Sequence, residues 1–272
     1  MMKNKAFFLY IVLLVPLSFL LILTSFKVPA EDVPYRIKTI VVDAGHGGKF
    51  TGAVGNYSKE KDVTLQVALR LGKAIEENMK GVTVLYTRTT DMNFDEVNSK
   101  DLKKRIDMAN AAKADLWISI HCNSMGSGTK NRTSVKGVET FVAGFARLNE
   151  QDAAIKEYMA LEEEYKLDEK DNPEDPATAI FVSLVKNSLR DQSIRLATFI
   201  QNEYVASDRV NRGVQELSLA VLRTATMPAV LTEIGFISNP QEEDYINSPE
   251  GQNEIVGNIV KAIQMYKKQV EL

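Results

Sequence analysis

The chain has 272 residues, 44% hydrophobic, 25% charged and 8% aromatic, a composition that excludes a disordered, collagenous or disulfide-scaffolded protein. Its formal net charge is −3. Because Lys3, Lys5 and Lys27 face no acid in the first thirty residues, Glu31 onward carries −6, which argues against a nucleic-acid partner. Cys122 is the single cysteine, so no intrachain disulfide can form.

Lys3 and Lys5 precede an uncharged run from Ala6 to Phe26, 21 residues interrupted only by Pro16, Ser18, Thr24 and Ser25. That length suits a spanning helix, while Val28-Pro29-Ala30 offers small residues at cleavage positions, so residues 1–30 read as either a membrane anchor or a cleaved signal peptide. Both readings export Glu31–Leu272 to the periplasm or cell envelope, because the lysines before the run favour an inside N-terminus. A buried soluble helix is the weaker alternative, since it would be apolar on every face.

From Arg36 short apolar runs alternate with amphipathic stretches, the pattern of an α/β sheet layered with helices over residues 36–272. Strands are expected at Thr39–Asp43, Thr83–Thr87, Leu116–His121, Val138–Val142, within Val214–Leu222, and at Ala229–Glu233. Helices are expected near Lys61–Met79, Asp101–Ala112, Ala177–Tyr204 and Glu250–Tyr266, where apolar residues recur every three or four positions. Asp101 and Ser248-Pro249 read as helix starts and Gly81 as a helix stop.

Asn149–Asp175 breaks the alternation, with eleven acids against Lys156, Lys166 and Lys170. A solvated acidic helix ending in the turn Asn172-Pro173-Glu174-Asp175-Pro176 is the plain reading. At about 100° per residue, however, Ala154, Ile155, Tyr158, Met159, Leu161 and Tyr165 share one arc, and Glu162 falls inside it while Glu163 and Glu164 do not. A carboxylate on the docked face of a helix needs a cation or several donors.

Only two histidines occur, His46 and His121, and each directly follows an expected strand. His46 sits in Asp43-Ala44-Gly45-His46-Gly47-Gly48, where glycines let the backbone bend sharply; His121 sits in Ile118-Ser119-Ile120-His121-Cys122-Asn123. The carboxyl ends of parallel strands form one ligand-binding edge, so both imidazoles can converge there across 75 residues of sequence. Two imidazoles and one carboxylate make an open zinc site. Glu60, opening the first long helix, and Glu233, ending the last strand after Pro228-Ala229-Val230-Leu231-Thr232, are the two candidates for that carboxylate.

Other chemistries fare worse. Gly45-His46-Gly47-Gly48-Lys49-Phe50 lacks the third glycine of a dinucleotide loop and is not a P-loop. No G-x-S-x-G occurs, and Cys122, next to His121, would point to the opposite face of its strand as a small buried hydrophobe.

Six blocks in order carry a resemblance: Val41–Gly48, Glu60-Lys61-Asp62, Thr87-Arg88 with Arg105 and Ala109-Asn110, Ala114–Asn123, Arg212-Gly213-Val214, and Pro228–Asn239. Together, from about Lys38 to Tyr266, they resemble the zinc-dependent N-acetylmuramoyl-L-alanine amidases of bacterial cell-wall turnover. The resemblance implies a twisted mixed, mostly parallel sheet flanked by helices on both faces, one zinc ion bound by His46, Glu60 and His121, and Glu233 as the catalytic acid/base. Its implied substrate is peptidoglycan, cut at the amide between the lactyl group of N-acetylmuramic acid and L-alanine. Arg88, Arg105 and Asn110 are family-like positions that serve either substrate contact or an anchoring salt bridge.

Ala160–Lys166 and Ala179-Ile180-Phe181 also resemble the regulatory helix of division-associated amidases. This implies an autoinhibitory insertion over 149–175, extending toward about residue 190, with Glu162 as the carboxylate reaching the metal and a LytM-type activator displacing it during daughter-cell separation. Two other functions are compatible with the same residues: a zinc peptidase cutting within the stem peptide, and a non-catalytic wall-binding protein, the latter opposed by the intact His46, Glu60, His121 and Glu233 set.

Overall fold

The computed structural model describes residues 36–144, 151–156 and 176–272. Ala6–Phe26, Glu162 and most of Asn149–Asp175 lie outside these residues. Among the described residues no helix is long and apolar enough to cross a membrane.

In chain order the elements are β1 (Thr39–Ala44), α1 (Glu60–Asn78), β2 (Thr83–Tyr86), α2 (Asn98–Ala111), β3 (Leu116–Asn123), β4 (Val138–Ala143), α3 (Pro176–Ala206), β5 (Asn211–Leu217), β6 (Ala229–Phe236), α4 (Pro240–Asn247) and α5 (Pro249–Val270). The six strands form one sheet in the order β2-β1-β3-β6-β4-β5. Every neighbouring pair is parallel except β4 with β6. This is the mixed, mostly parallel sheet that the resemblance implied, and it agrees with the α/β alternation.

Period-two side-chain alternation divides the core. Ile40, Val42, Ile118, Ile120, Cys122, Val230 and Ile234 point to one face, against Val63, Val67 and Leu71 of α1, Leu196 and Ile200 of α3, and Ile255 and Ile259 of α5. Val41, Trp117, Phe141 and Leu231 point to the other, against Ile106 and Ala109 of α2 and the segment carrying Val221, Leu222, Ala225 and Met227. Helices therefore cover both faces. His121 and Glu233 belong by the same alternation to the α2 face, and Cys122 is turned away from them.

Three expectations needed correction. Asp101 does not start α2, which begins three residues earlier; its carboxylate is buried and accepts from Arg105 Nε at 2.8 Å. The fifth strand, expected as a stretch within Val214–Leu222, lies at Asn211–Leu217 and so begins three residues earlier, because this edge strand is largely exposed and carries little apolar alternation to mark its start; Val221 and Leu222 lie beyond it in the α2-side core. Helix α4 was not expected: its eight residues are mostly polar, and its start is marked only by Asn239, whose side chain accepts from the Gln241 and Glu242 amides ahead of Pro240. Ser248 does cap α5, accepting from Gly251 N at 2.9 Å, and Gly81 follows the end of α1 with φ +81°.

Candidate active site and metal centre

The loop after β1 delivers His46 to the sheet edge in a left-handed conformation, φ +62°, which costs a non-glycine residue roughly 1–2 kcal/mol. Two buried arginines hold it there. Arg105 donates to Ala44 O at 2.8 Å and to the His46 carbonyl, and Arg88 donates to Ala44 O at 3.0 Å and Gly45 O at 2.9 Å. Arg105 also pairs with Asp43 at 2.9 Å. Burial would raise the Asp43 pKa, but Arg105 and the hydroxyls of Ser119 and Thr87 outweigh it and hold the carboxyl below the usual carboxylate range. Both arginines are thus anchors of the histidine loop; Asn110 likewise bonds Thr224 O at 2.9 Å and Thr226 N at 3.2 Å.

His121 emerges near the end of β3, and Glu60 opens α1 with its side chain directed between the two imidazoles. Glu60 Oε1 lies 2.9 Å from His121 Nδ1, and Oε2 lies 3.1 Å from His46 Nε2. The same carboxylate accepts from the amides of Cys122 at 3.0 Å and Ala53 at 2.7 Å. Burial opposes its charge, yet the two imidazoles prevail and hold its pKa far below the ordinary range. For His121 the balance is similar: burial would lower its pKa, but the Glu60 contact raises it.

Space at this point is fixed by glycines. A Cβ on Gly45 would stand 2.5 Å from the His121 ring, and one on Gly52 would stand 2.4 Å from Glu60 Oε2. The structure therefore brings together His46, Glu60 and His121, each offering one ligand atom, all within 4.8 Å of one another. Two imidazoles and a carboxylate packed this closely would suit one divalent ion and would leave it a position for water. Of the two candidate carboxylates, Glu60 is the one in this group. The histidines open onto a cavity of about 500 Å³, lined also by Phe50, Leu102, Leu219 and Leu231.

Glu233 stands beside this group, in register with His121 across β3 and β6. Its Oε2 is buried and has no hydrogen-bond partner. Burial, reinforced by Glu60 and Glu139 and opposed by His121, pushes its pKa up to about 8. A carboxyl group without donors next to three converging ligands is suited to taking up and releasing a proton. Cys122, on the other face, has its thiol pKa pushed well up by burial, which leaves it inert as a nucleophile.

One buried acid was missed. Glu139 on β4 is 5% exposed and lies opposite Glu233. The available clue was an acid within the apolar stretch Val138–Val142, in step with the alternation that places Phe141 on the α2 face.

The profile of the family described as N-acetylmuramoyl-L-alanine amidase matches residues 40–265. The germination-specific N-acetylmuramoyl-L-alanine amidase of Bacillus subtilis is 27% identical over 266 residues, covering 92% of each chain. Among solved structures, an N-acetylmuramoyl-L-alanine amidase from Clostridium difficile 630 aligns with a TM-score of 0.61 at 27% identity, covering 85% of this chain and 97% of its own. The CwlD amidase from Clostridioides difficile, solved in complex with the GerS lipoprotein, aligns with a TM-score of 0.61 at 25% identity, covering 85% of this chain and 99% of its own.

Proposed function

The chain belongs to the N-acetylmuramoyl-L-alanine amidases and is a peptidoglycan hydrolase of that family; from that premise we propose that it works with one zinc ion, held by His46, Glu60 and His121, and with Glu233 as acid/base. The observation that carries this reading is the convergence of three ligand atoms within 4.8 Å beside a carboxyl group whose buried Oε2 has no partner of its own.

When bound there, zinc supplies Lewis acidity, acidifying a water toward neutrality and polarising the scissile carbonyl. Glu233 accepts the proton of the attacking water and delivers it to the departing nitrogen as the C–N bond breaks, leaving a lactyl carboxylate and a free L-alanine amine. With Oε2 unpartnered, Glu233 breaks no hydrogen bond of that atom to do so. Glu60 is unsuited to this task, because it would be one of the metal ligands and two backbone amides already hold its oxygens. Arg88 and Arg105 act one step back, fixing the loop that presents His46.

The reading extends to regulation. We take Asn149–Asp175 as an autoinhibitory segment with Glu162 directed at the metal, released by a LytM-type activator in the cell envelope during daughter-cell separation. Its net charge of −8, the placement of Glu162 on the apolar arc and the likeness to division-associated amidases support this. The described part of the segment is docked: Ile155 packs on Val182, Asp152 pairs with Lys186 at 2.6 Å, and Gln151 donates to Ala225 O at 3.0 Å. That a solved relative carries a lipoprotein partner makes a protein activator reasonable here too.

Mass spectrometry of the fragments released from purified peptidoglycan tests the bond assignment. Whole stem peptides bearing a free L-alanine amine are expected. Fragments cut inside the stem would indicate the peptidase instead, and no release by folded, zinc-loaded protein would indicate a binding role.

A further inference from the structure

The row of polar side chains on the α2 face of the sheet continues past Glu233. On β4, Glu139 is directly opposite Glu233 in the antiparallel register, so the two carboxyl groups leave the same face with Cβ atoms about 5 Å apart. Their surroundings differ sharply. Glu139 accepts from Asn123 Nδ2 at the end of β3 and from Gln215 Nε2 on β5 at 2.9 Å, and it lies 3.6 Å from Arg212 Nε. The Arg212 guanidinium sits over the ring of Phe236, 5.0 Å from its centroid, so this cation already extends from β5 across β4 to the strand that bears Glu233. Glu233 Oε2, by contrast, is buried without a donor.

A carboxylate that must gain and lose a proton within each turnover is hindered by a charge-assisted hydrogen bond, because such bonds are about twice as strong as neutral ones and hold both charge and orientation. Arg212 lies beside Glu139 and reaches Phe236 of β6, and Asn123 and Gln215 are donors beside it, whereas Arg209, which donates to Ile234 O at 3.2 Å, is already paired with Glu242. We propose that Glu139 is a positioning residue: it occupies Arg212, Asn123 and Gln215, and by doing so leaves Glu233 unpaired and directed toward the metal group. This rests on the acid/base reading of Glu233. Glu139 touches no reacting atom; its effect runs through the cation it retains.

Steady-state kinetics on a soluble muramyl peptide, with zinc content measured in each variant, tests the proposal. Glu139→Gln keeps the side-chain size but releases Arg212. We expect kcat to fall about 10- to 100-fold, the effect of a charge-assisted bond that must now be broken at Glu233, with KM within about twofold and zinc unchanged. The double variant Glu139→Gln/Arg212→Gln, which removes the released cation as well, recovers most of that loss. A purely structural role for Glu139 would give no such recovery. Wild-type kcat in Glu139→Gln, or a double variant no faster than the single one, would overturn the proposal. Should Glu139→Gln not fold, Glu139→Asp, one methylene shorter and poorly placed to retain Arg212, carries the same comparison with its own Arg212→Gln double variant. Glu233→Gln is measured alongside: near-normal turnover there would instead remove the acid/base reading on which the proposal stands, so the two failures are read in different proteins.

Discussion

Glu60 is buried and Glu233, at the same sheet edge, is partly buried with its Oε2 enclosed; what separates them is the company each keeps. Two backbone amides and the adjoining imidazoles favour the charged form of Glu60; Glu233 is raised to about 8 chiefly by burial. Opposite phenotypes follow. Glu233→Gln should lower kcat by about 10²–10⁴ while zinc remains bound, as read by turnover and metal analysis on one sample. Glu60→Gln should lose zinc first, with affinity falling by more than the roughly 10- to 100-fold typical of an outer-shell partner, as read by chelator competition. Zinc loss in Glu233→Gln would move that residue into the ligand set. At this scale the sequence was informative because histidine is scarce: with two in the chain, one just past β1 and one near the end of β3, little freedom remained. It could not choose between Glu60 and Glu233, since the choice depends on where α1 begins relative to the end of β3. Nor did it reveal Glu139, whose importance lies in partners drawn from β3 and β5.

At the scale of elements, the His46 loop depends on the buried Asp43–Arg105–Asp101 network joining β1 to α2. Asp43→Asn leaves Arg105 with part of its charge uncompensated and should cost about 3–5 kcal/mol in denaturant unfolding, with metal affinity reduced because His46 loses its support. The pH dependence has a definite sign. Asp43 has a lower pKa folded than unfolded, so its contribution is present above the unfolded value, near 4, and is lost as pH falls through the folded one. The wild type should therefore lose stability across that acid range more steeply than Asp43→Asn; parallel curves would refute this role. Glu243 on α4 acts in the same direction, since the amides of Asn56, Tyr57 and Ser58 and the Ser58 hydroxyl hold its charged form. These contacts explain why elements were read well and their edges less so. Long periodic elements such as α1 and α5 announce themselves through the apolar faces they bury. Helix α4 is polar because it serves as an anchor for the 56–58 loop, and Asp101 looked like a helix start because an acid near a helix N-terminus is equally compatible with capping and with pairing to Arg105.

At the scale of the whole molecule, a sheet edge gathers the candidate ligands and apolar layers on both faces back that edge, while control is proposed to come from the acidic segment. If Asn149–Asp175 inhibits, its deletion should raise the initial rate on purified peptidoglycan several-fold at equal zinc loading, and Glu162→Ala should reproduce part of the gain; equal rates would retire the inhibitor and leave the amidase intact. The alternation of strands and helices was legible in the sequence, because buried central strands and amphipathic helices leave clear patterns, while the mixed order of the sheet came from the resemblance and the exposed strand β5 left little pattern to read. The relation of the acidic segment to the site was not, since charge on a helix does not say which surface it meets. The central claim is that one zinc ion at His46, Glu60 and His121 enables amide hydrolysis. It is tested most directly by stripping the metal with a chelator and restoring zinc in measured equivalents, while quantifying stem peptides released with a free L-alanine amine. Release should vanish in the stripped protein, return in proportion to zinc up to one ion per chain, and fail to return in His121→Ala; undiminished release from metal-free protein would contradict the account.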